Sequence, residues 1–432
     1  MNKTILIHNC SLAVTPVIAD GWLLINGDTI AAFGPADSLA LAGVSQTTTI
    51  INGRGMLLAP GLINGHNHCA MTLFRGLADD LELTTWLTDH IFPAEATYVN
   101  EEMVYHCSRL AAAEMILSGT TTVADGYFFE DQAAQAFADT GMRAVAAQGI
   151  IDFPAPGVPD PTTNIEAAAR FLDQWQGKNS RISPAIFAHS PYTCSAGTLQ
   201  RAKKMATERQ VPFFIHAAES CQEQELIRAP QGSSPLRHLS ALGLLEPGTI
   251  CIHGVWLDAE DLDLLVQTRT GVIVCPQSHL KLASGIAPVA AMLELGIKVG
   301  LGTDGCASNN SIDMFREMNL LSNILQLNHQ TTSLPAGQAL RCATINNAAL
   351  LGLGKTGQLA IGYKADLILL AVQPHLSPGE QLLVAAATGA AVHSVIIDGR
   401  LIMHERKILS FDLEDTMREV RRLAGQLAGS RH

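Results

Sequence analysis

The chain has 432 residues, 47% hydrophobic and 16% charged, which excludes a disordered protein and allows one large folded domain plus a smaller one. A net charge of −12, with no basic run carrying interleaved aromatics, excludes a nucleic-acid surface. No apolar run reaches the ~20 residues of a membrane span, His8, Asn9 and Cys10 interrupt any leader-like start, and the nine cysteines form no Cys-x-x-Cys, so the expectation is a cytoplasmic protein with reduced thiols.

Residues 4–8, 20–26 and 29–33 read as short strands, and Asn26-Gly27-Asp28 reads as a hairpin turn between the last two. From residue 57 the pattern becomes strand then helix, repeated. Strands are expected over 57–68, 120–127, 143–152, 182–192, 211–219, 249–257, 271–279 and 298–305. Apolar residues three or four apart predict helices over 101–117, 131–139, 165–175, 196–209, 259–268, 287–295 and 312–325. Strands return at 365–371, 392–397 and 401–404, with Asp398-Gly399 as a turn. Eight strands alternating with helices is the arithmetic of a (β/α)8 barrel. An open doubly wound sheet is the rival, but no Gly-rich phosphate loop follows the first strand. The expected fold is therefore α/β. A TIM barrel over 59–362 is joined to a small β-sandwich domain built from both chain ends, 1–58 and 363–432, the latter with a terminal helix.

Within the first barrel run, Ala59-Pro-Gly-Leu-Ile-Asn-Gly-His-Asn-His68 ends in two histidines one residue apart. Side chains alternate along a strand, so His66 and His68 share a face and can grip one ion. Alone, such a pair is more often a surface or core feature. The other strand ends, however, carry His189 (fourth), His216 and Glu219 (fifth), His253 (sixth), His279 (seventh) and Asp304 (eighth), and barrel chemistry sits at those ends. Each has a bland reading by itself. His216 and His253 follow apolar runs as core histidines would, and Asp304 in Gly-Thr-Asp-Gly suits a turn or helix cap. Glu219 could be a solvated loop glutamate, as Glu223 and Glu225 are read to be. Together, His66, His68, His216 and Asp304 supply three imidazoles and a carboxylate for one Zn2+, a donor set that also suits Fe2+ or Mn2+. His253 can then reach the bound water, and Glu219 is placed as a general acid/base.

These residues lie in longer motifs: Pro60-Gly-Leu-Ile-Asn-Gly-His-Asn-His68, Thr72-Leu-Phe-Arg-Gly-Leu-Ala-Asp-Asp80, His189-Ser-Pro-Tyr-Thr-Cys194, His216-Ala-Ala-Glu219, Leu280-Lys-Leu-Ala-Ser-Gly285 and Gly302-Thr-Asp-Gly305 with Ala307-Ser-Asn-Asn310. With them the chain resembles, over almost its whole length, the amidohydrolase superfamily and within it the 5′-methylthioadenosine/S-adenosylhomocysteine deaminases. The resemblance implies that His66, His68, His216 and Asp304 bind the metal, that His253 contacts the hydrolytic water, and that Glu219 carries protons to the purine N1. It further implies that Glu95 takes the ribose hydroxyls, that His189 bonds the adenine ring, and that Trp86 packs on the apolar part of the ligand.

Four positions depart from the family pattern. Gln148 stands where an arginine is common, near the amino-acid tail of S-adenosylhomocysteine, and glutamine cannot neutralise a carboxylate. That favours a short tail, as in methylthioadenosine or adenosine. Gly126 replaces a methionine and is expected to widen the 5′ pocket. Ser190 replaces an alanine. His279 replaces an asparagine and either touches the site or faces the loop.

The expected activity is zinc-dependent hydrolytic deamination of an adenine nucleoside. The partner is then a small nucleoside, with no nucleic acid and no membrane, and apolar barrel flanks are compatible with a homo-oligomer. Three other readings compete. Deamination of guanine or a pterin, or dechlorination or deamination of an s-triazine, keeps the metal but leaves Glu95 without a diol. Two-metal cyclic-amide hydrolysis lacks its lysine, because His189 holds that place. A non-catalytic scaffold should have lost ligands that are intact here.

Overall fold

The computed structural model describes residues 4–39, 48–79, 81, 83–329, 336–371, 379 and 381–429; Asp80, the last residue of the Thr72 motif, lies outside them. Eight parallel strands follow one another in chain order: Leu62–Asn67, Thr120–Tyr127, Arg143–Ile150, Ile182–Ala188, Phe213–Ala217, Thr249–His253, Gly271–Val274 and Val299–Leu301. Both faces of these strands are covered, which is why they read as continuous apolar runs. Alternate residues sort into two clusters. Ile63, Ala124, Val145, Phe187, Phe214, Ile250 and Ile273 fill the barrel interior, while Leu62, Val123, Ala144, Ile186, Phe213, Cys251 and Val272 pack against the surrounding helices.

The first and eighth strands are joined largely by side-chain amides. Asn347 donates Nδ2 to Ile63 O (2.8 Å) and Leu301 O (2.7 Å), and its Oδ1 accepts from Leu301 N at 3.2 Å. Asn64 and Asn67 both donate to Thr303 Oγ1 at 2.7 Å. Asp304 N donates to His66 O at 3.0 Å. Gly302 is required here, since a Cβ would lie 2.7 Å from His66 N. The closure therefore brings the eighth strand end against the first.

The predicted 57–68 strand is two strands. Met56–Pro60 belongs to the terminal sheet and Leu62–Asn67 to the barrel. The chain changes sheets at Gly61, where any Cβ would sit 2.2 Å from Thr121 Oγ1. Several other predicted strands run too far at their C-terminal ends. The backbone turns left-handed at Ala218 (φ 57°), His253 (φ 81°) and Asp304 (φ 63°), just where polar residues begin. The seventh strand stops at Val274, and Pro276 opens a short helix, Pro276–Lys281, so His279 is helical rather than at a strand end. Helices Glu101–Leu117, Ala196–Arg209 and Ala259–Thr268 coincide with their apolar spacing, whereas Phe92–Tyr98, Cys221–Gln231 and Pro235–Ala241 were not predicted.

The two chain ends form one mixed nine-stranded sheet, with Met56–Pro60 hydrogen-bonded between Thr4–Leu12 and Leu367–Ala371. It has its own core, including Ile7, Leu23, Ile25, Leu58 and Leu367. Asp398-Gly399 makes the expected tight hairpin, both residues at positive φ (52° and 68°). Arg143, at the start of the third barrel strand, ties the two sheets together. Its Nε donates to Asp366 Oδ2 at 2.7 Å and its Nη2 to Asp398 Oδ1 at 2.8 Å. All nine cysteines are free thiols, and eight are buried. Among the described residues no helix is long and apolar enough to cross a membrane.

Candidate active site

His66 lies in the first barrel strand, with His68 one residue beyond it. His216 is in the fifth strand, and Asp304 follows the eighth. Ligand atoms of His66, His68 and His216 all lie within 4.8 Å of one another. His216 Nε2 is 3.3 Å from His66 Nε2, and Asp304 Oδ1 is 3.6 Å from His66 Nε2 and 3.5 Å from His68 Nε2. Two imidazole nitrogens facing each other so closely in a buried site suit a shared cation better than a mutual hydrogen bond.

The surroundings set each ligand's form. His68 Nδ1 is 2.5 Å from Gly126 O. A carbonyl only accepts, so Nδ1 carries the proton and Nε2 offers its lone pair to the centre. Burial drives His66 down to about 4 and His216 well below the usual imidazole range, leaving neutral rings. For Asp304, burial works upward, but His66 against Oδ1 and the other histidines outweigh it and hold the carboxyl well below its usual range. Ser278 Oγ donates to Asp304 Oδ2 and Gly305 N to Oδ1, both at 2.7 Å. Three nitrogens and a carboxylate oxygen around one point are a donor set that fits a divalent metal.

Glu219 and His253 face the same centre, with His253 Nε2 at 3.6 Å from Glu219 Oε2. Burial, then the charges of Asp304 and Glu223, push the Glu219 carboxyl well above its usual range, which favours its protonated form. Glu225 is exposed as expected, but Glu223 is not the solvated residue the sequence suggests. It is 2% exposed, and its carboxylate accepts from Ala218 N (3.0 Å) and Glu219 N (2.7 Å).

These groups border a single cavity. Glu95 and His189 line it, as does Trp86, whose indole Nε1 is buried with no hydrogen-bond partner among the described residues. Tyr127 Oη donates to Glu95 Oε1 at 2.6 Å, and burial raises Glu95 to about 7 against that hydrogen bond. His189 Nδ1 is 3.0 Å from Thr193 Oγ1, which also bonds Ser190 Oγ, and burial lowers His189 to about 3. Leu83, Ile91, Phe92 and Leu282 form apolar wall, and no lysine or arginine is among the described residues lining the cavity.

Two further expectations are corrected. Gln148 does not enter the cavity. Strand alternation turns it outward with Ala144 and Ala146, where its Oε1 accepts from Glu130 N at 3.3 Å. Gly126 lines the cavity, but the room it leaves is taken by Phe187, which a Cβ there would approach to 3.0 Å. Phe187 was not anticipated. Its ring packs 4.8 Å from His216 and within 6 Å of His66 and His68, a dry floor under the ligand set.

Residues 57–402 match the amidohydrolase family. A 5-methylthioadenosine/S-adenosylhomocysteine deaminase from Syntrophus aciditrophicus is 42% identical over 419 residues, 96% of this chain and 94% of that one. The corresponding deaminase of Syntrophobacter fumaroxidans is 43% identical over 407 residues, covering 93% and 92%. Among solved structures, an adenosine deaminase from Xanthomonas campestris with bound zinc superimposes with a TM-score of 0.93 at 32% identity, over 98% of both chains. The family match spans the barrel that carries the histidine cluster, and the relatives extend that likeness over nearly the whole chain: this protein belongs to the amidohydrolase family.

Proposed function

We propose that the protein is a zinc-dependent hydrolase that deaminates an adenine nucleoside, 5′-methylthioadenosine or adenosine, to the inosine analogue and ammonia. The observation that carries this reading is the meeting of His66, His68, His216 and Asp304 at one point faced by Glu219 and His253. Those four residues would hold the ion. When bound, it supplies Lewis acidity that lowers the pKa of a water toward about 7, making hydroxide available at neutral pH.

The chain's own groups then do the following. Asp304 and His253 orient the attacking oxygen toward C6 and take up its proton. Glu219 delivers a proton to N1, which makes C6 electrophilic, and is recharged by one proton of the attacking water, while the other passes from Asp304 and His253 to the departing amine. The water oxygen becomes the 6-oxo group, one of its protons stays on N1, and the other leaves in ammonia. His189 bonds the ring. Glu95, with one oxygen committed to Tyr127, offers the other to the ribose cis-diol. Trp86, Leu83, Ile91 and Phe92 pack against the 5′ substituent. With no lysine or arginine among the described residues lining the cavity, the charged homocysteine tail finds no partner there, so methylthio or hydroxyl tails are preferred over S-adenosylhomocysteine. Gln148, turned away from the cavity, takes no part in this preference.

Guanine, pterin or s-triazine as substrate is the second reading, and Glu95 in the cavity disfavours it, since a free base has no diol. An ammonia-release assay over adenosine, methylthioadenosine, S-adenosylhomocysteine, adenine, guanine and a triazine decides. The two short-tailed nucleosides should lead, and turnover of guanine or the triazine alone would refute the assignment.

A further inference from the structure

We propose that His279 is a positioning residue that fixes the tautomer of His253, keeping the Nε2 lone pair of His253 turned toward the reaction centre. The fold creates the contact. The seventh strand ends at Val274, Pro276 starts the helix Pro276–Lys281, and its first turn swings His279 back against the sixth strand end. Both rings are buried, with centroids 5.3 Å apart. His253 Nδ1 lies 3.1 Å from His279 Nε2.

Which ring donates follows from a third group. The backbone N–H of Cys275 points at His279 Nε2 from 3.4 Å. An amide N–H can only donate, so His279 Nε2 is an acceptor and bears no proton. His253 Nδ1 must then supply the proton in the shared hydrogen bond. A neutral imidazole protonated on Nδ1 has a free lone pair on Nε2, and Nε2 is the atom 3.6 Å from Glu219 Oε2. In the opposite tautomer an N–H would face the cavity, and His253 could not accept a proton from the attacking water.

The catalytic consequence rests on the deaminase reading; the tautomer itself does not. The test therefore uses two readouts on the zinc-loaded protein. Two-bond 15N–1H spectra of histidine-labelled protein should show His253 protonated on Nδ1 and bare on Nε2. In His279→Leu that pattern should be lost and kcat should fall about 10–100-fold, with KM within about twofold and zinc content unchanged. His279→Asn keeps an acceptor oxygen and should restore both. An Nε2-protonated His253 in the wild type overturns the proposal, even if the leucine variant does not fold. So does an unchanged His253 pattern in His279→Leu. If the wild type deaminates no nucleoside but shows the expected spectrum, only the deaminase reading fails.

Discussion

Glu223 closes its carboxylate on the backbone that carries Glu219, with Oε2 2.7 Å from Glu219 N and Oε1 3.0 Å from Ala218 N. Ala218 sits at φ 57°, a conformation that a non-glycine residue adopts only when its surroundings hold it there. Ser220 Oγ accepts from Glu223 N at 3.2 Å, so the helix start and the clamp fix each other. Glu223→Gln replaces one acceptor with an NH2 aimed at an amide. It should lower kcat about 10–100-fold by misplacing Glu219, with KM little changed and about 1–3 kcal/mol of stability lost. Steady-state kinetics and thermal unfolding check this; wild-type kcat would mean the clamp does not position Glu219.

Glu219 itself should be indispensable for turnover and dispensable for metal. Glu219→Gln is expected to retain stoichiometric zinc and lose about 10²–10⁴-fold in kcat. Because burial beside Asp304 and Glu223 raises its carboxyl, the working form is protonated, and raising the pH removes that proton. The wild-type kcat should thus fall on the alkaline side of its profile, and the glutamine variant should show no such limb. An active variant, or an alkaline limb common to both, would remove Glu219 from its role.

The features legible in the sequence are polar residues that terminate apolar runs. His66 and His68, His216 and Asp304 stand at strand ends, and parallel strands buried on both faces make those ends easy to see. What was not legible depends on facing and on distant partners. Gln148 and Gly149 are neighbours on one strand, yet only Gly149 reaches the cavity, and an all-buried strand gives no alternation to tell them apart. Glu223 looks solvated until the chain is seen to start a helix after Ser220 and fold back. Tyr127 and Glu95 are 32 residues apart, and neither predicts the other. Phe187 is indistinguishable in sequence from any core aromatic.

The Glu95–Tyr127 pair predicts a pH-dependent KM. Burial raises Glu95 to about 7, with the Tyr127 hydroxyl pulling the other way. Only the ionised carboxylate accepts from both ribose hydroxyls, so affinity is present above that pH and lost as pH falls through it. KM for adenosine should rise toward tenfold per pH unit below about 7, and KM for 2′,3′-dideoxyadenosine should not. Tyr127→Phe removes the lowering contact and should move the break to higher pH. Identical KM–pH curves for the two nucleosides would detach Glu95 from the sugar.

Arg143 predicts a stability effect separable from catalysis. Its guanidinium forks onto Asp366 through Nε (2.7 Å) and Nη2 (3.1 Å) and reaches Asp398 at 2.8 Å, joining the barrel to the terminal sheet. Arg143→Met strands the buried carboxylate of Asp366 and leaves half-buried Asp398 with Lys364 alone, and should cost about 3–5 kcal/mol. Arg143→Lys should recover only part, because an ammonium cannot reproduce the fork. Burial pushes Asp398 upward, yet the Arg143 contact outweighs it and leaves the carboxyl below its usual range. The pair's contribution is therefore present at neutral pH and lost as pH falls through the lowered value. Urea unfolding at pH 7 and in acid should show the wild-type advantage over Arg143→Met narrowing as Asp398 protonates. A loss under about 1 kcal/mol at pH 7, the size of an exposed pair, would mean that this buried cluster does not hold the two sheets together.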